Sequence, residues 1–177
     1  MNALAIQNPM SRPAPVLTAS HVVLRILIIL NWIYGAGILA ILILSITLGW
    51  PVMTPSPETE RLLLGMRAVA LFGLVSIPLH YLVLKRLLDI VATVRAGDPF
   101  IGQNALRLQA IAWAVLGLQL VSLVIGAIAR GVSTDAHPFQ VDAGFSTAGW
   151  LAVLLLFVLA RVFGEGARMR DELEGTV

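Results

Sequence analysis

Few side chains in this chain are able to do chemistry. There are three histidines, His21, His80 and His137, and no cysteine. Imidazole and carboxylate are therefore the only strong metal ligands, and disulfides, thiolate sites and thiol nucleophiles are excluded. No two histidines lie one helical turn apart, the local spacing that presents a pair to one metal ion. His21 and His80 fall near the same end of two apolar segments, where haem or metal ligands would have to meet, but an interfacial polar role accounts for each without a ligand. A membrane-bound enzyme would have to be assembled from Asp89, Asp98, His21 and His80. No glycine-rich phosphate loop, serine elbow or paired-carboxylate arrangement is present. We assign no catalytic residue, no cofactor and no metal, and read the chain as non-enzymatic.

The other polar groups of interest lie inside long apolar segments. Asn31 and Gln119 are suited either to hydrogen bonds between helices or to lining a small-molecule or lipid pocket together with Pro78. Pro78 removes a backbone donor and frees the carbonyl of Leu74, and His80 follows it by two residues. Ser45 with Gly49, Ser122 with Gly126 and Ala127 with Gly131 place small residues four apart, the spacing that lets helices approach closely. No Asp or Glu lies within the charge-free centres, which argues against proton- or sodium-coupled transport.

The elements that must hold these residues are set by hydropathy. The 177 residues are 58% hydrophobic and 12% charged, against about 45–50% and about 25% in soluble domains, so hydrocarbon must surround much of the chain. Four charge-free spans are predicted, at about 26–49, 68–84, 108–129 and 143–160. The first would run about 36 Å as a helix, enough for a hydrocarbon core of ~30 Å, and it is too long for a cleaved signal. The fold class is all-α, a four-transmembrane-helix bundle forming one domain over 21–177. Residues 1–20, with Pro9, Pro13 and Pro15, are expected to be a flexible tail.

Nine of the twelve Lys and Arg residues flank one side of these spans, and Arg61, Arg67 and Arg130 flank the other. Cytoplasmic flanks hold the basic excess, so both termini, the 85–107 loop and the 161–177 tail are expected in the cytoplasm, with Trp50 and Trp150 near the opposite interface. From Leu87 the apolar residues keep helical spacing, which carries the second helix past the membrane to a Gly97-Asp98-Pro99-Phe100 turn. Asn104 is expected to cap the third helix. After the fourth span, Val162, Gly166, Met169 and Leu173 share one face, with Arg161–Glu165 and Arg168–Glu172 spaced as ion pairs and Gly175 placed to end the helix. Helices two and four are thus expected to extend into the cytoplasm. Pro51, Pro55 and Pro57 mark the first outer loop as irregular, and 131–142 shows no period.

Two passages carry a family resemblance. One is Leu88 to Arg107, with its Gly97-Asp98-Pro99-Phe100 turn followed by Asn104 and Arg107; the other is Phe163-Gly164-Glu165-Gly166 through the Thr176-Val177 ending. Together they resemble a family of small bacterial four-helix membrane proteins of unknown function, over about Val22 to Val177. The resemblance implies a bacterial inner membrane. Because such proteins are often encoded beside a small helix-turn-helix regulator, it also implies a DNA-binding protein as partner, since the chain has no recognition helix to bind nucleic acid directly. A homo-oligomer is a further expectation. The residues expected to form the partner surface are Gly97, Asp98, Pro99, Phe100, Asn104 and Arg107 in the turn and Phe163, Glu165, Gly166, Arg168, Leu173 and Thr176 in the tail.

Overall fold

The computed structural model describes residues 15–47, 56–133 and 141–174. They form four helices, α1 Pro15–Thr47, α2 Pro57–Arg95, α3 Gly102–Val132 and α4 Thr147–Glu174. Each is long and apolar enough to cross a membrane. In the most apolar window of α1 only 11% of residues are buried, and 22% in that of α3, so the remaining surface must meet hydrocarbon rather than a protein core. The chain is a multi-pass membrane protein, and the expected four-helix fold is present.

Two helix starts differ from the expectation. α1 begins at Pro15, so residues 15–20 belong to a helix and not to a tail, while residues 1–14 lie outside the described residues. Proline is at home in a first turn, where its missing N–H has no acceptor to leave empty. α2 begins at Pro57, one of the prolines expected to mark an irregular loop. Ser56 has extended backbone geometry and accepts from the Thr59 N–H at 3.2 Å, Pro57 follows it, and Glu58 and Glu60 stand in the first turn where the helix dipole favours acids. Trp50, Pro51 and Pro55 lie outside the described residues, as do Gly49 and His137.

The helices pack in chain order. α2 pairs with α3, α3 with α4, and α1 with α2, while no Cα of α1 comes within 8 Å of α3 or α4 among the described residues. The bundle is therefore open, with α1 flanking the others. Lipid supplies no hydrophobic drive between helices, so close approach through small residues matters. A Cβ at Gly35 would lie 3.1 Å from Ile77, and one at Gly117 would lie 3.3 Å from Leu79. The core lies toward the α2–α3 turn, where Leu108, Ile111 and Ala160 are buried against Val83, Leu87, Ile90, Leu156 and Phe163.

The fourth span is only partly helical. Residues 143–146, expected to be its first turn, are not helical, and α4 starts at Thr147, with the Ser146 hydroxyl accepting from the Gly149 N–H at 3.1 Å. The preceding backbone lies in a notch on α3. The Gly144 N–H donates to the Ser122 hydroxyl at 3.1 Å, and a Cβ on Gly126 would sit 2.7 Å from the Ala143 carbonyl oxygen. Gly144 has φ +134, a conformation natural only to glycine. The Ser122–Gly126 pair thus receives an extended segment rather than another helix. Non-helical backbone packed against a helix needs partners, and the Ser122 hydroxyl serves both the N–H and the carbonyl of Gly144. Trp150 stacks on Phe145 with centroids 6.4 Å apart and follows Gly149, which faces Gln119 in the middle of α3.

Candidate functional site

The turn between α2 and α3 is built from its glycine outward. Gly97 has φ +87, which lets the chain reverse after the Ala96 cap. The Asp98 N–H then donates to the Thr93 carbonyl and the Gly97 N–H to the Val94 carbonyl, both at 3.1 Å. This paired arrangement satisfies carbonyls that the helix end would leave open.

Asn104 holds the turn from inside. Its side chain does not cap α3, whose first turn follows Ile101 without a side-chain cap. It is fully buried, and its amide donates to the Thr93 hydroxyl at 2.8 Å and to the Pro99 carbonyl at 2.9 Å. A buried amide needs such partners, and these connect the end of α2, the loop and α3. Arg107 completes the arrangement, donating to the Asn104 oxygen at 2.8 Å and to the Asp89 carbonyl at 3.3 Å. Asn104, expected on a partner surface, is instead an interior support of the turn, and Arg107 is half-buried beside it.

α4 docks on this turn. The Phe100 and Phe163 rings lie 5.3 Å apart, a tilted pair within the range of favourable aromatic contact. A Cβ on Gly166 would meet Phe100 at 3.5 Å, and one on Gly164 would meet the Ala105 Cβ at 3.6 Å. One turn further, Arg170 pairs with Asp98. The α4 stalk also carries Arg168, which pairs with Glu165 at 2.7 Å and with Glu172 at 3.6 Å. The expected Arg161–Glu165 pair is replaced by this one, since Arg168 reaches Glu165 from three residues away on the same face. The structure thus brings together Gly97, Asp98, Pro99 and Phe100 with Phe163 and Gly166, and leaves Glu165 and Arg168 on an exposed face. Thr176 and Gly175 lie outside the described residues.

Beside this contact three large apolar side chains remain well exposed. Phe100 is 49% exposed, Met169 53% and Leu173 73%. Met169 and Leu173 lie three and seven residues beyond Gly166, on the face of α4 that Gly166 turns toward Phe100. The residues that reading the sequence missed are Thr93 and Arg170. The inward hydroxyl of Thr93 is visible only once Asn104 is seen to need a partner.

The intramembrane polar residues do not meet. The Asn31 amide donates to the Ile77 carbonyl at 3.2 Å and binds α1 to α2. The Gln119 amide lies over Gly149, where there is no room for a Cβ, and fills the α3–α4 contact. Pro78 follows the carbonyl that Asn31 uses, and α2 continues helical through it. The His80 ring nitrogen lies 2.9 Å from the Ser76 carbonyl of its own helix. Asn31 and Gln119 are thus taken up in two different helix contacts. No group of three or more metal-ligating side chains occurs among the described residues.

A family described as a protein of unknown function, DUF2975, matches residues 81–177, more than half of the chain. The chain belongs to the DUF2975 family. Comparison with curated proteins and with solved structures gives no match. The DUF2975 match is shorter than the Val22–Val177 stretch over which the family resemblance is expected. It opens at Tyr81, midway along α2, and takes in the core cluster, the turn and all of α4. The site just described falls wholly within it, whereas α1 and its Asn31 bond to Ile77 fall outside.

Proposed function

We propose that this DUF2975 protein is a non-enzymatic membrane sensor or tether in a bacterial inner membrane. In this reading both termini are cytoplasmic, and the α2–α3 turn with the α4 stalk docks a small helix-turn-helix DNA-binding regulator. The observation that carries the reading is the exposure of Phe100, Met169 and Leu173 beside Arg168, Arg170, Glu165 and Glu172. An apolar patch rimmed by charges is the signature of a protein-binding surface, and the charges exclude hydrocarbon as its ordinary cover. The excess of Lys and Arg around this end supports a cytoplasmic location. Arg170 and the Asn104 network support the docking role by fixing the patch on a rigid base. The alternative, a small-molecule or lipid pocket at Asn31, Pro78 and Gln119, has less support, because both amides are taken up between helices.

The test is co-purification of the small regulator with the full-length chain from its host membrane. Met169→Glu with Leu173→Glu is expected to release the regulator while the variant still inserts and folds. Retention of the regulator by that variant would overturn the assignment.

A further inference from the structure

At the end of the molecule opposite the α2–α3 turn, α1 and α3 both pack on α2 but leave a strip of it uncovered between them. The strip forms the floor of a groove of about 620 Å³, with Ala70 and Gly73 along its base, Ile38 on the α1 wall and Leu118 and Ile125 on the α3 wall. It runs along α2 from Met66 to His80, roughly 21 Å at the helical rise, which is longer than one half of a ~30 Å hydrocarbon core. Gly73 keeps the floor low, because a Cβ there would meet only the tip of Ile38, at 3.6 Å.

A second recess of about 550 Å³ lies beside the groove, sharing Val141, Asp142 and Ala143 with it and bordered also by Arg130 and Ser133. Arg130 and Asp142 are both exposed and face one recess, yet among the described residues neither forms an ion pair with the other or with a third group. One positive and one negative charge bordering a recess beside a long apolar groove match a ligand with the reverse charges at one end of a long chain.

We infer that this groove binds a zwitterionic phospholipid with a primary amine, such as phosphatidylethanolamine. Its phosphate accepts from the Arg130 guanidinium, its ammonium donates to the Asp142 carboxylate, and one acyl chain lies along Ala70 and Gly73 toward His80. The amine must be primary because a carboxylate favours a cation that can donate hydrogen bonds, and a quaternary choline has none to give. A glycerol headgroup leaves Asp142 without a cation and adds no partner for it. The inference does not rest on the regulator-docking role, and it concerns the opposite end of the molecule.

The experiment is native mass spectrometry of the full chain released from vesicles of equimolar dioleoyl-phosphatidylethanolamine, -choline and -glycerol. Expected is one retained phosphatidylethanolamine per chain, favoured over the other two lipids by roughly tenfold or more, the scale of one charge-assisted hydrogen bond. Asp142→Asn is expected to abolish the preference over choline, and Arg130→Gln to lower retention of all three. Both positions are exposed, so these variants keep the fold, and Gly73→Leu adds a block of the groove itself. Equal retention of the three lipids, or a preference unchanged in Asp142→Asn, would mean ordinary annular lipid and would overturn the inference. So would a dimer that carries no lipid and falls apart with Gly73→Leu, because a second copy would then be the occupant.

Discussion

Arg170 near the end of α4 forms an ion pair with Asp98 in the turn between α2 and α3, 72 residues earlier in the chain. It joins the last turns of the stalk to the reversal that Gly97 makes possible, and Phe100 and Phe163 pack beside it. The pair is nearly half exposed on both sides, so it is expected to contribute no more than about 1 kcal/mol to stability. Its consequence is position rather than strength. Arg170→Glu is expected to leave the unfolding midpoint almost unchanged while making the segment beyond Phe163 a faster substrate for added protease. The charge swap Arg170→Glu with Asp98→Arg is expected to restore resistance, and failure of the swap would show that the pair does not hold the stalk.

Asn104 is fully buried and Leu106, two residues on, is 66% exposed. Asn104→Ala removes two donated bonds and one accepted bond, and is expected to destabilise the folded protein by about 1–3 kcal/mol. Leu106→Ala should change stability little. Denaturant unfolding in detergent micelles distinguishes them, and equal effects would contradict the buried role of Asn104.

The absence of cysteine permits a direct geometric check of how α4 meets α3. A Cβ built on Gly164 lies 3.6 Å from the Ala105 Cβ, within the range that a disulfide spans. Ala105→Cys with Gly164→Cys is expected to cross-link on mild oxidation, and to retain its mobility shift until reduced. Moving the second cysteine to Arg161, on the exposed side of α4, should abolish it.

The notch on α3 makes a similar contrast. A Cβ at Gly126 would press on the Ala143 carbonyl and the Gly144 Cα at 2.7 to 2.9 Å, whereas one at Gly131 would meet nothing within 4 Å. Gly126→Ala is expected to cost about 1–3 kcal/mol, since backbone must shift to admit it. Gly131→Ala is expected to be neutral or slightly stabilising, a helical glycine being the poorer residue. Thermal unfolding in micelles measures both.

The spans were legible because an apolar run long enough to cross a membrane needs only length and composition, and the Gly97 turn was legible because Gly-Asp-Pro leaves a helix few ways to continue. The start of α2 was missed although its signal was present. Ser56, Pro57 and Glu58 form a helix start, but three prolines in a row of seven residues suggested a loop. Asn104 looked like a cap because asparagine so often is one, and only the fold shows the Thr93 hydroxyl and Pro99 carbonyl that claim its amide. The Ser122–Gly126 spacing announced a close approach without saying that an extended segment would fill it. Arg170 and Asp98 are separated by 72 residues, and no local pattern links them.

The most direct test of the docking account is a photo-reactive side chain placed at Leu173, 73% exposed on the stalk, and at Val158, 53% exposed within the apolar part of α4. Irradiation of host cells is expected to attach a small helix-turn-helix DNA-binding protein at 173 and only lipid at 158. Lipid alone at both positions would contradict the claim that the end of α4 is a protein-docking surface.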